Sequence, residues 1–338
     1  MGRGADYCAE NRARKEERMK ALVTGGTGFI GSHVVFELLK EAHSVRVLSR
    51  RDTIPEQLKH TDIEIVKGNL EDFTAVSDAM DNTDVVYHIG EIKNSTSRAA
   101  KKNVKLMEHI LKHFSVKGSK RLVFVSSITV AGIPSVLPAD EDTKPTLVLQ
   151  DHYTSYKRSC EEMLMSGAFR NEYVIVRPAP VFGPGSRYLG RLVNTIKYVG
   201  PVGLPFIGNA RNAAPLIYVK DLARAIYLSG MIPEASGLTL NLTDGQNHSW
   251  FDFFNEIAGL LGKTLKILPL PPAVLKISAL PLDLFTGFLG LELDATHYVQ
   301  YFSRDLIFSN KQARAILGWE PRYTLQNAVK EMVASYTT

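Results

Sequence analysis

The chain has 338 residues, 45% of them hydrophobic and 22% charged, with a formal net charge of +5 and a pI near 9.0. These proportions exclude disordered and fibrous classes and allow one large α/β domain or a core domain with a smaller lobe. The basic residues are scattered without an aromatic stripe, which argues against nucleic acid, and Cys8 and Cys160 are too few for a disulfide framework or a cysteine zinc site.

Residues 1–18, MGRGADYCAENRARKEER, are polar and lack the apolar core of a secretory signal. They read as a disordered extension ahead of a fold that begins at Met19. With no targeting signal, a cytoplasmic location is expected. Short β-branched runs then alternate with helical patterns. The strand candidates are 20–24, 44–49, 62–67, 84–89, 121–127 and 172–178. Segments 31–42, 73–80, 98–114 and 155–167 carry apolar residues at three- and four-residue spacing, the mark of helices with one buried face. Nearly continuous apolar strands alternating with such helices imply a parallel sheet covered on both faces. After Pro178 glycine and proline crowd residues 182–187 and 200–208. Residues 216–230 and 238–244 then read as a return to the sheet, followed by helices at 251–262 and 311–319. The apolar tract 265–290 is broken by Lys276, Asp283 and several prolines, which makes it a poor transmembrane span; it reads as a pocket wall or a core-packing segment of the smaller lobe, with a place on a lipid surface as a further reading.

Between the first strand and the first helix stands TGGTGFIGSH (24–33). Gly25 permits a tight turn, Gly28 lets a pyrophosphate approach the backbone, and Gly31 lets the helix pack closely on the strand. The free N–H groups and positive end of the helix would then meet the anion. Ser32 stands where a nucleotide-triphosphate loop requires lysine, so a dinucleotide is the expected ligand. The second strand ends at Ser49-Arg50-Arg51, and Arg50 would attract a 2′-phosphate, favouring NADP over NAD.

At 153–157 stands YTSYK. Tyr153 and Lys157 share one face of a helix, and an ammonium beside the phenol favours phenolate, bringing its pKa towards a range useful for proton transfer. Tyr156 is a rival for the exposed position. Ser127, at the end of an apolar strand, is placed to hydrogen-bond a substrate oxygen. His109 and His113 have a metal-like spacing but no third ligand, so no metal is expected. A serine-hydrolase elbow is absent.

Together with GNLED (68–72), VYHIG (86–90), FVSSITVAG (124–132), VRPAPVFGPG (176–185), IYVKDLARA (217–225), LNLTDG (240–245) and ILGWEPRYTL (316–325), these stretches make residues 19–335 resemble the extended short-chain dehydrogenase/reductase family, also called the NAD-dependent epimerase/dehydratase family. The resemblance implies an α/β, Rossmann-like, doubly wound parallel sheet with a smaller, interleaved C-terminal substrate lobe. The dinucleotide domain would span 19–180 and the substrate region 181–338, with about 216–245 returning to the former. It implies Tyr153 as general acid/base, Lys157 tuning it and holding the nicotinamide ribose, and Ser127 polarising the reacting C–O group. Thr27, Phe29 and Ile30 would join the glycines of the turn at the cofactor. Asn69 and Leu70 would flank the adenine, with Asn69 in place of the family's usual Asp. His88 to Gly90 would line the dinucleotide, and Pro178 to Val181 the nicotinamide. Gly90-Glu91 replaces a usual small-residue pair, and Leu106-Met107 a usual Gly-Thr. A homodimer paired through the helices at 98–114 and 155–167 is also implied.

The implied reaction is hydride transfer to or from a carbonyl or alcohol carbon of a small molecule. The Arg50 region resembles NADP-dependent reductases acting on hydrophobic ketones. A nucleotide-sugar epimerase or dehydratase is the alternative. Its usual arginine falls at Ala214, so Arg211 and Arg187 are the candidates for an anionic substrate. A non-catalytic dinucleotide sensor is the second alternative.

Overall fold

The computed structural model describes residues 18–50, 58, 61–92, 96–117, 119–167, 172–199, 203–270, 299 and 301–337. The leader before Arg18, Arg51 with Asp52, and all of the apolar tract beyond Leu270 lie outside the described residues. The first half alternates as its pattern predicts: β1 (Lys20–Thr24), α1 (Phe29–Lys40), β2 (Ser44–Ser49), β3 (Ile63–Lys67), α2 (Phe73–Met80), β4 (Val85–His88), α3 (Ser97–Lys117) and β5 (Arg121–Val125). A short 3-10 turn (Ile128–Ala131), β6 (Ile133–Pro134) and β7 (Pro145–Leu147) precede α4 (His152–Met165) and β8 (Glu172–Pro178). The second half holds β9 (Val181–Phe182), α5 (Arg187–Val199), β10 (Leu204–Ile207), β11 (Ala213–Ala214), β12 (Ile217–Tyr218), α6 (Val219–Met231) and β13 (Thr239–Leu242). It closes with β14 (His248–Ser249), α7 (Trp250–Leu260), β15 (Ile267–Leu270), α8 (Lys311–Leu317) and α9 (Leu325–Thr337).

Seven strands form one sheet in the order β13-β8-β5-β4-β1-β2-β3, every pair parallel. The doubly wound Rossmann-like sheet is thus present, and its order reverses between β1 and β4, where such sheets open a crevice for ligands. The return to the sheet expected over 216–244 is divided. Ile217–Tyr218 pairs with Val181–Phe182 in a separate two-stranded ribbon, and among these residues β13 alone enters the large sheet. The run between them is helical because Leu222, Ala225, Ile226 and Ser229 recur at three- and four-residue spacing on one buried face.

The pleat sorts each strand between two cores. Ala21 and Val23, Val85 and Tyr87, and Val123 and Val125 pack with Val34, Val35 and Leu38 of α1 and with Leu222 and Ile226 of α6. Leu22, Val86, Leu122 and Phe124 face Val76 and Met80 of α2, Leu106, Met107 and Ile110 of α3, and Cys160 and Leu164 of α4. Each Val, Leu, Ile, Phe and Met among them contributes about 1.5–3 kcal/mol on burial. Leu106-Met107 is therefore helix–sheet core. A third, aromatic-rich core unites Phe206, Trp250, Phe254 and Phe302 with Leu192 of α5 and Met332 of α9.

In the turn after β1, Gly25 adopts φ +72°, and a Cβ there would fall 2.6 Å from Gly90 Cα. At Gly31 a Cβ would fall 2.1 Å from the carbonyl oxygen of Gly25. Gly31→Ala should therefore push α1 off β1 and lower stability by about 2 kcal/mol. Chemical denaturation of the two proteins, compared at equal slope, measures it.

Candidate active site

Parallel register sets Thr24 beside His88 and His88 beside Phe124, so β1, β4 and β5 end level and the segments after them share one rim. On this rim lie the glycine turn, His88 to Gly90, and Ser127. α1 starts at Gly28 with no capping side chain and no acid in its first turn. Its positive end is thus unopposed by its own residues. Thr27, Phe29 and Ile30 are half-buried around it, and Phe29 packs against the aromatic-rich third core.

Thr24 Oγ1 accepts from the N–H groups of Ile89 and Gly90, each at 3.2 Å, and lies 2.9 Å from His88 Nδ1. The His88 ring stacks on Phe124 with centroids 5.9 Å apart. Burial, assisted by the Lys157 ammonium, pushes the His88 pKa down to about 3, so the imidazole is neutral throughout the physiological range.

α4 begins at Asp151, whose Oδ1 accepts from Thr154 N at 2.8 Å. One turn in, Tyr153 is half-buried while Lys157 is buried, its Nζ 5.8 Å from the Tyr153 ring centroid. Lys157 Nζ donates to Val125 O at 2.7 Å, which ties α4 to the end of β5. Burial lowers the Lys157 pKa, opposed chiefly by the carboxylate of Glu91. Of the two tyrosines, Tyr156 is the packed one: it is buried, and its hydroxyl donates to Glu91 Oε2. Tyr153 meets it edge to face at 5.5 Å.

β5 ends at Val125, so Ser127 lies beyond the strand and caps the 3-10 turn. Its Oγ accepts from Thr129 N at 3.3 Å and from Thr129 Oγ1 at 3.0 Å, and Thr129 Oγ1 accepts from Thr154 Oγ1 at 3.1 Å. Accepting both leaves the Ser127 hydroxyl hydrogen to be donated elsewhere. The neighbouring Ser126 Oγ donates to Glu161 Oε1 at 2.5 Å, and Arg177 on β8 grips both Glu161 oxygens through Nε and Nη2 at 2.5–3.2 Å. A buried ion pair of this kind adds little net stability, because desolvation offsets its attraction. What it supplies is geometry: α4, β8 and the serine pair are held in one register.

The remaining residues singled out by sequence divide. Leu70 approaches the rim, its Cδ1 standing 3.0 Å from where a Cβ on Gly90 would lie. Asn69 is exposed and its Oδ1 accepts from Glu71 N at 2.8 Å. Pro178 is buried at the end of β8 and Val181 half-buried just beyond it. Arg50 is exposed one residue past β2. Arg187 is exposed at the start of α5, and Arg211 is exposed with its guanidinium 4.1 Å from the Phe251 ring centroid. His109 lies against Phe73 and Ser77, and His113 stands 3.5 Å from Asp81. Among the described residues no group of three His, Cys, Asp or Glu could hold a metal. Sequence reading missed three polar anchors: Thr24, Glu161 with Arg177, and Asn103, whose side chain binds both N–H and C=O of Ile92 at 2.8 and 3.0 Å.

The cradle fits a dinucleotide. A backbone groove closed to any Cβ at Gly25, Gly31 and Gly90 adjoins the uncapped helix start, and the tyrosine–lysine pair stands on the same rim.

Residues 21–237 match the sequence model of the NAD dependent epimerase/dehydratase family. The chain is 26% identical to a 3 beta-hydroxysteroid dehydrogenase/Delta 5→4-isomerase of Mycobacterium tuberculosis, across 94% of this chain and 90% of that one. It is 24% identical to a UDP-glucose 4-epimerase of Vibrio cholerae, across 93% and 94%. The solved UDP-glucose 4-epimerase of Thermotoga maritima superposes with a TM-score of 0.75 at 21% identity, covering 94% and 98%, a likeness of fold.

The His88 environment makes a testable statement about acid stability. The unfolded chain takes up a proton near pH 6.5, whereas folded His88 does so only near pH 3. In that window the unfolded state binds more protons, so stability falls as pH is lowered. His88→Asn should flatten the fall in thermal midpoint between pH 7 and pH 5.

Proposed function

We propose, on the premise that the chain belongs to the NAD dependent epimerase/dehydratase family, a nicotinamide-dependent oxidoreductase of the extended short-chain dehydrogenase type with Tyr153 as its acid/base. The observation that carries the reading is the half-buried Tyr153 with Lys157 one helical turn on, on a helix tied to the end of β5 by Lys157 and linked to Ser127 through Thr154 and Thr129.

When bound, the nicotinamide supplies or accepts hydride at the reacting carbon of a ketone or alcohol. The protein's residues supply the rest. Gly25, Thr27, Gly28, Phe29, Ile30 and Gly31 hold the pyrophosphate end. Leu70 and Asn69 adjoin the adenine, while His88 to Gly90, Pro178 and Val181 line the ring end. Ser127 donates its hydroxyl hydrogen to the substrate oxygen, and Tyr153 gives or takes the proton on that oxygen. The Lys157 ammonium favours the phenolate and so lowers the cost of that transfer. Neutral His88 adds no competing charge. On this reading residues 19–180, with the return through β13, form the cofactor domain, and the C-terminal lobe closes over the substrate.

Among cofactors we favour NADP over NAD, because exposed Arg50 stands just past β2, near the expected ribose position. The hydroxysteroid relatives support a small hydrophobic ketone or alcohol as the substrate class. A nucleotide-sugar epimerase is the second reading, favoured by the exposed Arg187 and Arg211 on the lobe. We extend the proposal to a cytoplasmic homodimer paired through α3 and α4. A buried free thiol at Cys160 suits a reducing compartment. The outward row of α3 is Lys101, Lys105, Glu108 and Lys112, so such pairing would tighten as salt screens the lysines. Among the described residues no helix is long and apolar enough to cross a membrane.

Tyr153→Phe should cut turnover by about 10²–10⁴-fold while cofactor binding is retained. Unchanged turnover would refute the assignment. The redox readout separates the two readings: a reductase changes the nicotinamide absorbance stoichiometrically with product, and an epimerase does not. A second expected outcome concerns Arg50. NADP should raise the thermal midpoint more than NAD, and Arg50→Ala should abolish that difference without altering the NAD response.

A further inference from the structure

Glu91, the residue that follows the glycine cradle's partner Gly90, has no part in the chemistry above, yet its carboxylate enters the tyrosine–lysine cluster. Its Oε2 accepts from the Tyr156 hydroxyl and lies 3.9 Å from Lys157 Nζ. The placement is built into the chain. Asn103 clamps the next residue, Ile92, through both backbone groups, and the Tyr156 ring is itself buried in the helix–sheet core. We infer that Glu91 is the counter-ion of Lys157, a positioning residue that keeps the lysine charged and acts on the chemistry through it. This inference rests on the proposed role of Lys157.

The surrounding groups leave this task to Glu91. Lys157 is buried, 5.1 Å from the Phe124 ring centroid and 5.2 Å from that of Tyr156, surroundings that favour a neutral amine. From α4 it faces Tyr153, Tyr156, Cys160 and Glu161. From β4 it faces His88, which is neutral, while Arg177 of β8 reaches Glu161 behind it. Burial keeps the Cys160 thiol protonated, its pKa pushed up to about 12, with Glu108 of α3 acting in the same sense. Glu161 is committed to Arg177 and Ser126, both its oxygens occupied. Burial pushes Tyr156 well above the usual tyrosine range, so its hydroxyl donates to Glu91 and brings no charge. Glu91 is thus the leading carboxylate that balances the lysine, with the committed Glu161 acting more weakly in the same sense.

The test reads Lys157 directly in the cofactor-free protein, so it is independent of turnover. Protein labelled with 13C at lysine Cε is titrated by NMR, with the Lys157 signal assigned from its absence in Lys157→Arg. Glu91→Gln keeps an acceptor for Tyr156 and removes the charge; Tyr156→Phe removes the hydrogen bond and keeps the charge. The inference expects the Lys157 titration to move to lower pH in Glu91→Gln and to stay or rise in Tyr156→Phe. An unmoved titration in Glu91→Gln overturns it. A fall of equal size in both variants also overturns it, because packing would then be the cause. Retained turnover in Tyr153→Phe would instead strike the proposed function and leave this titration as it stands.

Discussion

The molecule is organised around one close approach. The backbone after β1 runs against the backbone after β4 at Gly25 and Gly90, too near for a Cβ on either side. Thr24 Oγ1 locks that approach by accepting from two N–H groups of the β4 segment. Because β1 and β4 flank the point where the strand order reverses, this contact forms the floor of the crevice. The uncapped start of α1 lies on one side and the Ser127 and α4 machinery on the other. Shift that approach and both halves of the site lose their common frame.

Around the crevice the protein spends charge sparingly. One buried carboxylate, Glu161, is consumed by Arg177 and Ser126 and sets distances between elements. The buried histidine on the rim is held neutral. The ammonium of Lys157, with the Glu91 carboxylate 3.9 Å away, therefore acts on the neighbouring phenol through a medium of low dielectric.

Much of this was legible beforehand. β1, β2, β8 and α2 lie where their apolar patterns place them, because local periodicity and tertiary burial agree there. The glycine spacing and the Tyr153–Lys157 interval could also be read, since both lie within a single turn or helix. Glu91 with Tyr156, Ser126 with Glu161, and Glu161 with Arg177 could not be read in the same way. Each joins different elements whose separation along the chain carries no period. The stretch 216–230 was legible in part: its β-branched start is a two-residue ribbon strand, after which helical spacing takes over and packs the chain against the large sheet. Ser127 lies past its strand because β5 ends at Val125 and the chain turns tightly there to cap itself.

The core beneath α1 and α6 draws on residues far apart in the chain. Val34 and Ala21 pack in the same cluster as Leu240, Leu317 and Trp319, and the Trp319 indole N–H donates to the Asp221 carbonyl at 3.0 Å. A nascent chain emerging from the ribosome therefore cannot seal that face until Trp319 has been made. Until then the first strands stand with greasy surface showing, the kind of surface that makes partly folded chains prone to aggregate.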